Sequence, residues 1–367
     1  MASAPLHSRL SLDASVTPLL RIVFLTMAVA CGRTALPPDG NRSSWPSGMQ
    51  AWERRTHLVV MNETRAEALI DFPVLVRLDP SRIDYAAVRP GGADLRFIDD
   101  DGALLDHEIE QWQAGGDSYV WLRLPALAAG VNHDVWLYYG NSTAGSIEDP
   151  AAVWRHGYIA VYHFADASSA LPATSAINSG VTFAGEFLGT HASFNGSDGH
   201  LSVPAGFSGF AGGLAIEAWV RPNASTNYAR VVDFGNGEAI DNIVFYRWGL
   251  SDELTYEVHD PGYQFREPGV LVVGAWQYLV VSHAPDGVAT LYKDATPLGS
   301  AASVPLPSPV TRTMNFIGRS NWVTDDLFAG DMDELRISNV PRSSAWVDAQ
   351  HASMIGQMVV FDGAEQL

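Results

Sequence analysis

Aromatic side chains placed at turns of the second half of the chain are the first candidates for binding chemistry. Trp248, Tyr263 and Trp322 each fall at or near a predicted loop between apolar runs. An aromatic face in such a position can stack on a sugar ring, because ligand sites combine flat apolar surfaces with a few polar groups. The alternative is that each ring folds over the end of a sandwich. The sequence predicts these three residues as ligand-binding.

Catalytic motifs are missing from the sequence. The chain has 11 histidines but no His-Glu-x-x-His, and the His107-Glu108 pair has no second histidine four residues later. It also has no Gly-x-Ser-x-Gly elbow and no glycine-rich phosphate loop. The single cysteine, Cys31, precedes the predicted folded part and cannot serve as its nucleophile. We therefore predict that the protein is not an enzyme.

Cys31 follows a short apolar stretch, residues 22–30, which is itself preceded by Arg21. The stretch is too short to cross a bilayer, which needs about 20 apolar residues, and is typical of a signal peptide. The ending Ala28-Val29-Ala30-Cys31-Gly32 resembles a bacterial lipobox, in which the cysteine is acylated. The alternative is ordinary cleavage after Ala30. We predict a lipoprotein signal peptide over residues 1–31 and a flexible linker over residues 32–50.

Composition and charge limit the partners. Hydrophobic residues make up 47% of the 367 residues and charged residues 17%, which is typical of globular domains rather than disordered chains. The net charge is −19, from 22 basic and 41 acidic residues. Such a surface repels phosphate backbones and anionic headgroups, so we predict no nucleic-acid partner and membrane contact through a lipid anchor only.

Short strand-like runs separated by Gly, Pro and Asp turns dominate the sequence from residue 52 onward. Residues 72–78 predict a strand, and Asp99-Asp100-Asp101-Gly102 predicts a hairpin turn. Only residues 343–351 have a helical pattern. Many short alternating strands with regular turns predict an all-β fold of the sandwich type. Because the length allows two domains, we predict two tandem β-sandwiches.

Two family resemblances follow from ordered series of motifs. Residues 71–76, 94–97, 107–112, 120–125 and 138–141 resemble the domain-of-unknown-function 2341 family, which implies a first domain without assigned activity. Residues 192–196, 214–222, 276–282, 289–294, 316–320 and 328–337 resemble laminin-G-like, concanavalin A-like jelly rolls. We predict a first sandwich over residues 51–152 and a jelly roll over residues 153–367.

The jelly-roll resemblance implies two kinds of site. Residues 233–245 are similar to the pentraxin stretch whose Asp-Asn pair binds calcium, and residues 317–331 resemble the loop that supplies further acidic ligands. Carried over, these loops imply a Ca²⁺ site at one end of the sandwich. Its predicted ligands are Asp241, Asn242, Asn321, Asp325 and Asp326. The alternative is a pair of solvated turns.

The same superfamily contains glycoside hydrolases, which carry catalytic carboxylates on one strand face. The nearest candidates here are the segment 331–334 and Glu217. On a regular strand Asp333 and Glu334 point to opposite faces, so the sequence disfavours a hydrolase.

Together these features predict an exported bacterial protein displayed at the outer membrane or cell surface. It would bind carbohydrate or another envelope polymer through the jelly roll. The alternatives are a purely structural envelope component and, least favoured, a glycan hydrolase.

Acylation of Cys31 is directly testable. Because each buried CH₂ adds about 0.8 kcal/mol of membrane affinity, several acyl chains should anchor the protein stably. We expect cells expressing the protein to label it with a fatty-acid analogue, and Cys31→Ala to lose both the label and the membrane fraction. An unlabelled wild-type protein, or membrane-bound Cys31→Ala, would contradict the prediction.

Overall fold

The computed structural model describes residues 45–185, 187–259 and 262–366. The predicted signal peptide, Cys31 and most of the linker lie outside the described residues. The described part is almost entirely β-structure with two short α-helices, which confirms the predicted all-β class. No helix in these ranges is both long and apolar enough to cross a membrane.

The first sandwich packs two antiparallel sheets. Sheet I has the strand order β23-β1-β7-β3-β4, and sheet II has the order β2-β6-β5. The strands are β1 (Arg54–Val60), β2 (Leu69–Leu78), β3 (Arg96–Asp99), β4 (Leu104–Leu105), β5 (His107–Gln111), β6 (Ser118–Leu127), β7 (His133–Tyr139) and β23 (Val359–Gln366). Apolar side chains of both sheets form one core, with Leu58, Val76 and Leu137 fully buried.

The second sandwich confirms the predicted jelly roll. Sheet III has the order β10-β11-β22-β13-β18-β19-β20, with β8 also paired to β22, and sheet IV has the order β17-β16-β15-β14-β21-β12-β9. The strands of sheet III are β8 (Tyr158–Tyr162), β10 (Thr182–Ala184), β11 (His191–Asn195), β13 (Leu214–Pro222), β18 (Gln277–His283), β19 (Ala289–Lys293), β20 (Thr296–Ala301) and β22 (Ala329–Ser338). The strands of sheet IV are β9 (Ile177–Ser179), β12 (His200–Val203), β14 (Arg230–Gly235), β15 (Ile243–Arg247), β16 (Leu254–Val258), β17 (Tyr263–Glu267) and β21 (Met314–Ile317).

Local sequence signals account for the turns and helices. Asp99 ends β3, its Oδ1 accepts the amide of Ala103 at 2.7 Å, and Gly102 adopts φ +82°, so the predicted hairpin is confirmed. Helix α1 (Pro150–Val153) begins after Asp149, and helix α2 (Ser344–Met354) begins after Ser343. The Ser343 hydroxyl accepts the amide of Trp346 at 3.1 Å, which caps the predicted C-terminal helix.

The end of the chain returns to the first sandwich. Strand β23 pairs antiparallel with β1, from Val60 opposite Val359 to Arg54 opposite Gln366. All the described residues belong to one compact unit, and the core of the first sandwich continues into side chains of the second, including Trp219 and Tyr278. Independent folding of residues 153–367 stays a prediction, but their last strand completes a sheet of the other sandwich.

This arrangement predicts unequal effects for two neighbouring residues of β23. Phe361 packs on the first core and lies 4.6 Å from the Arg82 guanidinium, whereas Val360 is 48% exposed. We expect Phe361→Ala to lower the free energy of unfolding by about 1–2 kcal/mol, less than the 3–5 kcal/mol typical of a fully buried Phe. The control, Val360→Ala, should change it by less than about 0.5 kcal/mol. Urea unfolding measures both, and equal effects would mean that β23 is not docked.

Candidate functional site

The outward face of sheet IV carries a row of polar and aromatic side chains. Arg230 pairs with Tyr246, Tyr246 with Thr255, and Thr255 with Arg266, so the four side chains lie side by side across β14 to β17. Phe245, Tyr256 and Phe265, which adjoin three of these residues along their strands, point the other way and pack in the sandwich core. On β14 a register shift between Arg230 and Val232 turns Val232 toward the core as well. Alternation along the strands therefore places this row on the face away from sheet III.

Asp233 anchors a loop over that face. It is fully buried and accepts hydrogen bonds from the Asn321 amide N–H at 2.9 Å, from Asn321 Nδ2 at 2.8 Å and from Asn242 Nδ2 at 2.8 Å. Burial raises the pKa of the Asp233 carboxyl, although these hydrogen bonds and Arg230 oppose the shift. The loop between β21 and β22, which carries Trp322 and Asp325, is thereby held against the sheet.

Arg230 joins this loop to the aromatic row. Its Nη2 lies 2.6 Å from Asp325 Oδ2, and its Nε lies 3.7 Å from Asp233 Oδ2. The guanidinium also sits 4.0 Å from the Tyr246 ring centre and 5.3 Å from that of Trp322. Because Arg230 is only 4% exposed, these ion pairs and ring contacts replace the hydration that it loses.

Partly exposed rings flank the arginine on both sides. Trp248 lies 5.1 Å from Tyr228 and 6.4 Å from Tyr246, measured between ring centres, and the Arg266 guanidinium covers it at 4.3 Å. On the other side Trp322 lies 5.1 Å from the ring of His259.

A hydrogen-bonded carboxylate stands between these rings. Glu257 accepts bonds from the Tyr246 hydroxyl and from Gln264 Nε2 at 3.2 Å, and His259 Nε2 lies 2.8 Å from its Oε1. Burial alone would raise the pKa of Glu257, but the bonds from His259 and Tyr246 outweigh it and lower the pKa. We call the set Tyr228, Arg230, Tyr246, Trp248, Glu257, His259, Gln264, Arg266 and Trp322 the outer-face site.

The predicted ligand-binding aromatics divide between two environments. Trp248 and Trp322 both belong to the outer-face site, at opposite ends of the contacts through Tyr246 and Arg230. Tyr263 does not join them. It pairs with Val258, a core residue, and packs partly against the sandwich core instead.

The predicted calcium ligands are only partly brought together. Asn242 and Asn321 meet on Asp233, and Asp325 is linked to Asp233 through Arg230.

The remaining two predicted ligands have separate partners. Asp241 Oδ2 lies 3.4 Å from Asn236 Nδ2, and Asp326 Oδ2 accepts the amide of Asn227 at 2.7 Å. In the described ranges the three predicted aspartates do not form a cluster with ligand atoms within 4.8 Å of one another.

Sequence reasoning missed the residues that organise this face. Asp233 and Arg230 are charged residues inside the otherwise apolar run of β14, and that isolated charge was the available signal. Their partners Asn321 and Asp325 lie about 90 positions further along the chain, so only folding reveals the contacts.

The expected alternation at Asp333 and Glu334 is wrong. Glu334 has φ +50°, and the pairing of β22 with β13 shifts between Glu217 and Trp219, which marks a β-bulge. Both carboxylates are fully buried between the sandwiches, and the Glu334 amide donates to Asp333 Oδ1 at 2.9 Å.

Two other groups of acidic and histidine ligand atoms lie within 4.8 Å in the described residues. In the first group Asp99 and Asp100 lie at the hairpin turn, where Asp99 already accepts a backbone amide, and His133 begins β7. The second comprises Glu110, His163 and Glu334. Here His163 Nδ1 lies 2.7 Å from Glu334 Oε1. That is a hydrogen-bond distance, shorter than the roughly 3 Å between neighbouring ligands around a metal bound at about 2.1 Å. We therefore interpret this group as ion pairs.

Comparison with known families agrees with this architecture. Residues 91–176 match the model of the domain of unknown function 2341, and residues 195–348 match that of the concanavalin A-like lectin/glucanases superfamily. The chain thus carries a segment similar to each of these families, in the predicted order. Both predicted resemblances are thus confirmed, and we refer to the second sandwich as the lectin-like domain. No curated protein matches the chain.

Several solved structures are similar to part of the chain. Domain 4 of AbnA, a GH43 extracellular arabinanase from Geobacillus stearothermophilus in complex with arabinotriose, is 20% identical with a TM-score of 0.46; the match covers 53% of this chain and 98% of that one. The binding domain of Paraclostridial Mosquitocidal Protein 1 is 12% identical with a TM-score of 0.42, covering 54% of this chain and 52% of that one. The botulinum neurotoxin type G receptor-binding domain is 10% identical with a TM-score of 0.39, covering 53% and 51%. The chain thus spans about half the length of the two toxin domains.

Proposed function

We propose that the lectin-like domain binds carbohydrate, or another polymer of the cell envelope, at the outer-face site. The observation that carries the proposal is the run of contacts Trp248–Tyr246–Arg230–Trp322 on a sheet face of a domain whose family includes lectins. The half-buried rings of Trp248 and Trp322, at either end of the buried Tyr246 and Arg230, offer flat apolar surfaces to the faces of sugar rings.

The polar groups around these rings suit a neutral glycan. Arg230 and Arg266 are paired with Asp325 and Glu253, so both guanidinium charges near the rings are offset by carboxylates. The net charge of −19 disfavours strongly anionic polymers. Hydroxyl groups of a bound sugar would exchange hydrogen bonds with Gln264, Glu257 and His259.

Binding without catalysis and display at the cell surface belong to the same proposal. Asp333 and Glu334, the nearest hydrolase candidates, are both fully buried, so a polysaccharide at the outer-face site would not touch them. Lipidation at Cys31 would place the lectin-like domain outside the cell. The competing function is a structural envelope component without a glycan ligand, and the experiment below separates the two.

Glycan binding is tested by affinity electrophoresis and pull-down with a panel of neutral and acidic polysaccharides. We expect Trp248→Ala and Trp322→Ala each to weaken binding about tenfold or more, because truncating a central aromatic commonly costs above 1 kcal/mol. The matched control is Trp136→Ala. Trp136 also stacks beneath an arginine, Arg55 at 4.0 Å, but lies on the first sandwich, so binding should be unchanged.

Wild-type protein that retains no polysaccharide would favour the structural alternative. Equal losses of polysaccharide binding in all three variants would mean that the binding site is not on the outer face. Release of reducing sugar would support the hydrolase alternative. Melting temperatures of the variants separate lost contacts from lost folding.

Calcium dependence is the second part of the proposal. Asn242 Oδ1 and Asn321 Oδ1 are buried and have no hydrogen-bond partner in the described structure, while their Nδ2 groups hold Asp233. If both amides rotate so that Oδ1 instead of Nδ2 faces Asp233, two amide oxygens and a carboxylate become hard ligands of the kind that Ca²⁺ takes. A calcium ion there would compete with Arg230 for Asp233.

Melting temperature in millimolar CaCl₂ and in EDTA tests this part. Calcium at 100 times its Kd should add about 2.7 kcal/mol, which raises the melting temperature by several degrees for a domain of this size. We expect Asp233→Asn and Asn321→Ala to lose the shift, and the control Asp286→Ala, at an exposed turn, to keep it. A wild-type curve that is the same in both solutions would rule the ion out.

A further inference from the structure

The interface between sheets II and III encloses a cluster of ionisable groups. The interface cluster consists of Glu108, Glu110, His163, Asp333, Glu334 and Arg336, of which the first two belong to the first sandwich and the rest to the lectin-like domain or the strand leading into it. The side chains of all six are at least nine-tenths buried.

The contacts inside the interface cluster run from one sandwich to the other. His163 Nδ1 lies 2.7 Å from Glu334 Oε1 and 3.6 Å from Glu110 Oε2, and its Nε2 lies 3.4 Å from Glu108 Oε2. Arg336 pairs with Glu334 on the same strand. The imidazole therefore sits among three carboxylates that come from both sandwiches.

Two tryptophans of the first half of the chain close the interface cluster. The Trp121 indole N–H donates to Glu110 Oε2 at 2.8 Å, and that of Trp154 donates to Glu108. The Arg336 guanidinium lies 4.5 Å from the Trp121 ring centre and 5.0 Å from that of Trp154. These rings keep solvent away from the carboxylates, so the ionised acids cannot be screened by water.

The formal charges in this space do not balance. Four carboxylates face two cations, His163 and Arg336, which leaves an excess of two negative charges if every group is ionised. Burying unpaired carboxylates away from water is strongly unfavourable, and such groups bind protons instead.

The surrounding elements do not supply the missing positive charge. Glu217 and Arg342, from β13 and the segment before α2, lie 3.6 Å from each other and offset one another. The other titratable neighbours are Tyr119, Tyr158, Tyr278 and His351 on β6, β8, β18 and α2. Burial raises the pKa of Tyr119, Tyr158 and Tyr278 and lowers that of His351, so all four are neutral near pH 7.

We propose that the interface between the two sandwiches is a proton-held latch, closed while Glu110 and Asp333 carry protons and loosened in alkaline solution when they lose them. Glu334 remains ionised and binds the imidazolium of His163, and Glu108 Oε2 lies 3.4 Å from Nε2 of the same ring. The attachment of the lectin-like domain to the first sandwich then depends on the pH of the solution. This dependence does not require the outer-face site to bind a glycan.

The pKa shifts have the sign that this assignment needs. Burial, reinforced by the charge of Glu334, raises the pKa of Glu110 and of Asp333 well above their ordinary values of 4.5 and 3.8. The carboxylates raise the pKa of His163 well above 6.5 in spite of its burial. Groups with raised folded pKa values contribute stability that is present at low pH and lost as pH rises. Glu334, whose pKa is lowered by His163 and Arg336 against the effect of burial, acts in the opposite direction but only in acid.

Urea unfolding of the full chain between about pH 5 and about pH 9 measures the retained protons. For each proton that the folded state holds and unfolding releases, the folding equilibrium constant falls up to tenfold when the pH rises by one unit. Two such protons make it fall up to a hundredfold per pH unit. We expect the double variant Glu110→Gln/Asp333→Asn, which imitates the protonated acids, to lose most of this dependence. In this variant the pH dependence that His163 contributes should still be measurable above about pH 6.5.

The matched control is Glu63→Gln/Asp286→Asn, which removes the same formal charge from exposed positions, one on each sandwich. It should keep the wild-type slope. A wild-type slope near zero overturns the latch without any variant, and so does a Glu110→Gln/Asp333→Asn protein with an unchanged slope or with much lower stability at about pH 5. Millimolar EDTA should act equally on the wild type and on the double variant, because any calcium at Asp233 is common to both. A shift that the double variant lacks would mean a bound cation in place of the protons.

Discussion

The contact on which the rest of the structure depends is the one between Arg336 of the lectin-like domain and Trp121 and Trp154 of the first half of the chain. The guanidinium lies within about 5 Å of both ring centres while it pairs with Glu334. A buried guanidinium is stable only where ion pairs and aromatic faces replace its water, so Arg336 requires the first sandwich to be in place. In return the rings and the arginine bury the carboxylates of β5.

This interface decides which surface of the lectin-like domain is free. One face of sheet III packs on sheet IV, and the other packs on sheet II and α2, where Leu75 donates its amide to Ser353 Oγ at 2.7 Å. The outward face of sheet IV packs on neither sheet III nor the first sandwich, and Trp248 and Trp322 lie there. The return of β23 to sheet I adds a second connection between the sandwiches, so the lectin-like domain is tied to its neighbour at both ends.

Most of the fold could be predicted from patterns of neighbouring residues in the sequence. The alternating runs, the hairpin at Asp99 and the helix capped by Ser343 depend on residues within a few positions of one another, so they are visible in the sequence. The bulge at Glu334 is different. Its left-handed backbone is stabilised by contacts with His163 and the facing strand β13, and no local signal distinguishes it from a regular strand residue. One inserted residue changes which carboxylates share a face, which is why the expected alternation was wrong.

The sequence by itself determined the all-β class, the two families and the aromatic residues Trp248 and Trp322 as binding candidates, because composition, periodicity and motifs are properties of the chain alone. Only the tertiary structure decided that Asp233 and Arg230 organise the outer face and that buried acids meet at the interface. These groups lie far apart in sequence, and their protonation and pairing depend on the removal of water. Desolvation is a property of the packed sandwiches, so it appears only when the two cores are closed.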